Sequence, residues 1–206
     1  MKQNIKTMTT PKKDTSTLKF VTGNTGKFKE ASAILAPIKI KLVNIDLDEI
    51  QELDPHKIIR HKLNEAFKHH KSDFFVEDTS TYYKVLKNQL PGPFMKWFLH
   101  SLGTKGLYWM AKRLGDTRAE MRTIVAYAKN PKQVYFFEGL TKGKIVKPRK
   151  MGKHGFGVDS VFVPQGSTKS LSELKDFGPT KFSPRNKAVT KLKKFLFKNA
   201  KSKFKK

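Results

Sequence analysis

Four short segments of this chain carry residue types and spacings suited to chemistry on a phosphorylated molecule. In Leu18-Lys-Phe-Val-Thr-Gly-Asn-Thr-Gly-Lys27 a β-rich run ends in a Gly/Asn turn and leads straight into an amphipathic helix. Strand, small-residue turn and helix N-terminus together present backbone N–H groups and a positive dipole end to an anion. Lys27 adds a mobile charge at the same point. Neither G-x-x-x-x-G-K-S/T nor G-x-G-x-x-G is matched, so the two usual nucleotide fingerprints are absent. Next, Glu77-Asp78-Thr79 stands at the C-terminal end of the apolar run Phe74–Val76, where ligands of open α/β sheets collect. Two carboxylates there can hold a hard cation or polarise a water. Leu90-Pro-Gly-Pro-Phe-Met-Lys-Trp97 is a proline-locked loop running into a helix, with Lys96 among large apolar neighbours. Gly152-Lys-His-Gly-Phe-Gly-Val-Asp159 is glycine-rich and carries one aromatic and one acid. Each segment also has an ordinary structural reading: a βα connection, an acidic turn, a solvent-facing hairpin loop.

The elements that must position these residues follow from periodicity. Phe28, Ala31 and Ile34/Leu35 share one helical face, and Pro37 stops that helix. Ile40–Ile45 reads as a second strand. Asp54-Pro55 caps a helix with the stripe Ile58, Ile59, Leu63, Ala66 and Phe67, and Phe74–Val76 reads as a short strand buried in mid-sheet. Arg118–Lys129 and Gln133–Glu138 alternate like an antiparallel pair around Asn130-Pro131, and Thr141–Lys147 reads as a third strand. Val189, Leu192 and Leu196 mark a docked terminal helix, with Ser183-Pro184 as N-cap and first-turn proline. The expected architecture is α/β, a mixed, elongated central sheet flanked by helices.

Composition bounds the rest. A chain of 206 residues suits one domain with a sizeable core. Residues 1–17 read as a flexible polar tail, 18–198 as the domain and 199–206 as a basic C-terminal tail. The chain has no cysteine, hence no disulfide framework and no thiolate metal site. No apolar run approaches the roughly 18 residues of a membrane span, and a cytoplasmic setting is the simplest expectation. The balance of 43 Lys+Arg against 17 Asp+Glu, a net charge of +26, attracts polyanions with a strength that falls with salt. A solvated basic face is its ordinary meaning. The histidines show no metal-ligand spacing; His154 alone lies in a loop of interest.

Taken together, the segments resemble the inosine triphosphate pyrophosphatase family. The matching residues are Thr22–Lys27, Ile45–Glu49, Val76–Thr79, Leu90–Phe98, Gly139–Arg149, Phe156–Asp159 and Ser183–Arg185, in the family's order from about Leu18 to Phe197. The resemblance implies an active-site cleft between two lobes and hydrolysis of deaminated purine nucleoside triphosphates to monophosphate and pyrophosphate. It implies that Thr22, Gly23, Asn24, Thr25, Gly26 and Lys27 cradle the triphosphate, with Lys62 reaching it and Lys96 touching substrate. Glu49 and Asp78 would hold Mg²⁺, Asp78 also serving as the base, with Thr79 beside it. Phe156, Gly157 and Val158 would form the base wall, Phe156 stacking on the purine and Asp159 anchoring the nucleoside. Ser183 and Arg185 would complete the base end, Arg185 donating to the 6-oxo group. A homodimer is implied as well.

Three positions depart from the family's pattern, all at the base end. Pro184 replaces a histidine, Val158 replaces a tryptophan, and Pro179 replaces a lysine for which Lys181 is the expected substitute. Two other readings stay open: a basic nucleic-acid-binding protein on the same fold, with weak RNA attraction, and a pyrophosphatase for other modified nucleotides.

Overall fold

A computed structural model describes residues 17–202 except Asp46 and Glu49. The elements run β1 (Leu18–Val21), α1 (Thr25–Leu35), β2 (Ile40–Val43), α2 (Pro55–His69), β3 (Phe74–Tyr83) and β4 (Pro91–Gly92). They continue with α3 (Met95–Arg113), β5 (Arg118–Asn130), β6 (Gln133–Ile145), β7 (Phe162–Pro164), α4 (Leu171–Lys175) and α5 (Pro184–Ser202). Among the described residues, seven strands form one mixed sheet in the order β2-β1-β3-β5-β6-β7, with β4 paired to β3. β1 lies parallel to β2 and β3, and every other pairing is antiparallel.

Strand alternation sorts the core into layers. Phe20, Phe75, Val125 and Tyr127 meet Ala31, Ile34 and Leu35 of α1 and Ala188, Val189 and Leu192 of α5. The next residues along the same strands, Val21, Phe74, Val76, Ile124 and Ala126, face Ile59, Leu63 and Ala66 of α2. The far halves of β3, β5 and β6 carry a third cluster, in which Tyr83, Met121 and Ile145 pack with Leu107 and Ala111 of α3 and Leu171 of α4. The long β5–β6 ladder joins the two lobes. At the kink of α3, Gly103 takes φ +60°, which glycine adopts without steric cost.

Three expectations change. β3 does not stop at Val76 but runs to Tyr83, because Thr79–Tyr83 is rich in β-branched and aromatic residues and pairs with β5 all the way to Ala119. Gln133–Glu138 and Thr141–Lys147 are largely one strand, β6. Gly139, between the two expected strands, marks a close approach, since a Cβ there would sit 2.0 Å from the carbonyl oxygen of Pro184. β2 ends at Val43, where its register with β1 ends at Val21. Residues 1–16 of the expected N-terminal tail, and Lys203–Lys206 of the expected C-terminal tail, lie outside the described residues; α5 continues to Ser202.

Candidate active site

β1 ends at Val21 while β3, its parallel neighbour, runs on past it, so the middle of β3 borders an open cleft. The Glu77-Asp78-Thr79 segment therefore sits inside a strand, beside the C-terminal end of β1. Successive strand residues leave opposite faces. Glu77 accordingly faces α1 and α5, and Asp78 faces α2, so the adjacent carboxylates do not act as one pair.

The cleft encloses about 850 Å³, within the usual range of ligand pockets. Thr22, Gly23, Asn24, Thr25 and Lys27 line one end, together with Lys62, Asp78, Thr79 and Lys96. Phe156, Gly157, Val158, Asp159, Ser183 and Arg185 line the other. Asn24 caps α1 by accepting the Lys27 N–H at 3.0 Å, and the Phe28 N–H bonds the Asn24 carbonyl. The first-turn amides of Thr25 and Gly26 are thus the ones an anion can take. Lys96 is exposed on the first turn of α3, at the rim rather than among apolar side chains as expected.

On α2, capped by Asp54 and started by Pro55, Lys62 is buried beside the apolar stripe, its stem packed and its head in the cleft. Its ammonium lies 2.9 Å from Asp78 Oδ1, and Ser80 Oγ donates to Asp78 Oδ2 at 3.2 Å. Burial alone would push the Asp78 carboxyl up, but Lys62 and Lys27 outweigh it and hold the group below the usual carboxylate range. Among the described residues no three metal-ligating side chains converge. Glu49, the other expected ligand, lies outside them. Asp78 fits Mg²⁺ in kind, since that ion is commonly held by one or two carboxylates plus substrate phosphates.

A chain of alternating charges runs from Lys27 into the base end. Lys27 Nζ is 2.6 Å from Glu77 Oε1, and Arg185 Nε is 2.7 Å from Glu77 Oε2. Arg185 Nη1 is 2.7 Å from Glu30 Oε2, which also pairs with Lys175 at 3.0 Å. Lys175 closes the chain on Asp159 Oδ2 at 2.9 Å. Burial opposes ionising Glu77, yet Arg185 and Lys27 hold its carboxyl at about 2, while the same carboxylates raise the Arg185 guanidinium further above its usual value. Arg185 Nη2 also donates to Thr79 Oγ1 at 3.3 Å and more distantly, at 3.4 Å, to Glu77, so four of its five N–H groups have partners.

Asp159 is 2% exposed, and its Oδ2 accepts the Phe156 N–H at 3.0 Å as well as Lys175. Its Oδ2 therefore holds the loop. Ser183 is buried; its hydroxyl donates to Glu30 and accepts the Asn186 N–H, capping α5. Gly26 lets Phe156 close on the first turn of α1, for a Cβ there would lie 3.1 Å from the ring. His154 is exposed and does not line the cleft.

Lys181 requires a correction. It is exposed, its ammonium lies 5.5 Å over the Phe182 ring, and it does not line the cleft. Phe182 packs against the third core cluster and its carbonyl accepts Thr141 Oγ1, which turns its neighbour outward. Lys175 lies in the cleft instead. The sequence points to neither Glu30 nor Lys175 as a site residue, and to Glu77 only as half of a carboxylate pair with Asp78. Glu77 had a signal in its motif, whereas Glu30 and Lys175 look like ordinary helix charges until the fold brings them together.

A sequence profile of the Ham1 family matches residues 18–195. The chain is 40% identical over 184 residues to the inosine triphosphate pyrophosphatase of Yarrowia lipolytica, covering 88% of this chain and 96% of that protein. It is 38% identical over 179 residues to the inosine triphosphate pyrophosphatase of Schizosaccharomyces pombe, covering 86% and 93%. Among solved structures, a HAM1 protein from Coxiella burnetii superposes with a TM-score of 0.70 at 21% identity, covering 88% of this chain and 99% of that one.

Proposed function

This chain belongs to the Ham1 family, and from that premise we propose that it hydrolyses deaminated purine nucleoside triphosphates. ITP, dITP and XTP would yield the monophosphate and pyrophosphate, clearing them from the nucleotide pool. The observation that carries this reading is one cleft with Asp78, Lys27, Lys62 and a helix N-terminus at one end, and Phe156 and Arg185 at the other.

Phosphoryl chemistry asks mainly for positioning and charge neutralisation. The amides of Thr25 and Gly26 and the ammonium groups of Lys27, Lys62 and Lys96 receive the triphosphate. As Lys62 turns from Asp78 toward phosphate, the carboxylate is freed to orient the attacking water and take its proton. Asp78, with Glu49 as its expected partner, would hold Mg²⁺, which would supply further neutralisation of the phosphate oxygens. Water attacks the α-phosphorus and pyrophosphate leaves.

At the base end Phe156 stacks on the purine, and the remaining N–H of Arg185 donates to the 6-oxo group. Adenine offers a donor there instead, which leaves that one N–H unpaired and penalises ATP. Val158 and Pro184 are smaller than the family's tryptophan and histidine, so this wall accepts a wider range of oxopurines. Pyrophosphate release from ITP, XTP, dUTP, GTP and ATP, with and without Mg²⁺, tests the reading. Turnover of ITP and XTP well above ATP, only with the metal, is expected; no release from any purine triphosphate defeats it.

We also take the protein to be a homodimer built on α3, where Trp97, Leu102 and Trp109 are exposed, with Leu114 exposed just past its end.

A further inference from the structure

Lys175 ends the five-residue helix α4 and is 5% exposed. Its ammonium touches three groups at once. It lies 2.9 Å from Asp159 Oδ2, 3.0 Å from Glu30 Oε2 and 4.5 Å from the centre of the Phe156 ring. Asp159 in turn fixes the Phe156 backbone through the Phe156 N–H, and Glu30 holds Arg185 Nη1. The Arg185 guanidinium also lies over the Phe156 ring, 5.2 Å from its centre. One lysine thus links the aromatic ring, the carboxylate that anchors its loop and the carboxylate that orients the guanidinium.

The charges at this end explain why a cation is required. Glu30, Glu77 and Asp159 face Arg185, Lys175 and Lys27, three against three. Without Lys175, two buried carboxylates lose a shared partner, and an unpaired buried charge is costly. Arg185 is the nearest remaining cation, already bound to Glu30, and would be drawn toward the excess negative charge. Its one uncommitted N–H would then point elsewhere, and Phe156 would lose a fixed neighbour on its ring.

We propose that Lys175 is a positioning residue for base selection. It sets the orientation of Arg185 relative to Phe156, and so the preference for a 6-oxopurine over a 6-aminopurine triphosphate. The position in the loop for which Lys181 was expected to compensate is thereby served from a different element. This inference rests on the nucleotide reading of the cleft.

The test is steady-state pyrophosphate release from ITP and ATP by the full chain and by Lys175→Met, below the melting temperature of both. The ITP-to-ATP ratio of kcat/KM should fall roughly tenfold or more, chiefly through a higher KM for ITP. A merely structural lysine would lower both substrates in proportion and leave the ratio intact; that result overturns the proposal. Should Lys175→Met not fold, the charge-balanced Asp159→Asn/Lys175→Met protein is measured against Asp159→Asn alone. An equal ratio in those two proteins overturns the proposal as well. If the unaltered chain turns over ITP and ATP alike, the reading of the cleft fails and this inference with it. If it prefers ITP and Lys175→Met keeps that preference, only the role of Lys175 falls.

Discussion

Two neighbouring carboxylates in β3 do different work because a strand sends them to opposite faces. Asp78 is balanced by one lysine from α2 and stands in the cleft, free to exchange that partner for substrate or metal. Replacing it by Asn keeps the shape but removes the proposed base and one proposed ligand charge. Asp78→Asn should therefore lower turnover by about 10² to 10⁴-fold with an unchanged far-UV circular dichroism spectrum. Near-normal turnover in a folded Asp78→Asn protein would remove the mechanism. Glu77 instead joins Lys27 to Arg185 and is 4% exposed. Removing its charge leaves Arg185 underpaired in the interior, at a cost of about 3–5 kcal/mol. Glu77→Gln should accordingly shift the urea midpoint far more than Asp78→Asn does, and equal shifts would contradict the assignment.

At the scale of elements, the site depends on how closely α5 approaches the sheet. Arg185 sits in the first turn of α5, which crosses β6 at Gly139. A Cβ at Gly139 would lie 2.0 Å from the Pro184 carbonyl oxygen and 2.8 Å from the Ala188 nitrogen, both backbone atoms that cannot swing aside. Gly139→Ala must push the helix outward and carry Arg185 with it. It should cost about 1–3 kcal/mol in stability and weaken ITP discrimination while metal-dependent turnover persists. Unaltered discrimination in a destabilised Gly139→Ala protein would show that the approach of α5 serves packing alone. The α1 turn was legible from sequence as a Gly/Asn turn leading into a helix, because every contact that forms it, the Asn24 cap included, is local. The length of β3 was not, since its second half is held by pairing with β5, some forty residues further on.

For the whole molecule, the buried carboxylates make stability depend on acid. Glu30, Glu77 and Asp78 are all held below their ordinary values, Glu77 falling from 4.5 to about 2. In that interval the unfolded chain binds more protons than the folded one, so the contribution is complete above 4.5 and is lost as pH falls toward about 2. Denaturant midpoints should thus decline steeply below pH 4.5, and a flat profile down to 2 would contradict the ion-pair chain. The +26 charge acts over the whole surface and is screened within about 8 Å at physiological salt, whereas stacking on Phe156 and a directed bond from Arg185 are short-range. RNA binding should fade as salt rises while the preference for ITP survives. Light scattering at micromolar concentration should give the dimer mass, and a monomer would remove the proposed role for the exposed tryptophans of α3.

Local sequence by itself determined the capped helices, the strand–turn–helix that opens the cleft, the mixed sheet and, through the ordered motifs, most of the residues lining the cleft. The helices and the turn depend on periodicity, caps and turn chemistry written within a few residues of one another, while the cleft residues follow from the family resemblance of the ordered motifs. Only tertiary structure decided which cation serves the base end. Lys181 lies two residues before Ser183 but is turned outward by the packing of Phe182, while Lys175 reaches Glu30 across 145 positions of the chain. An ion pair between residues that distant forms only where three separate elements meet, and no spacing rule along the chain encodes it.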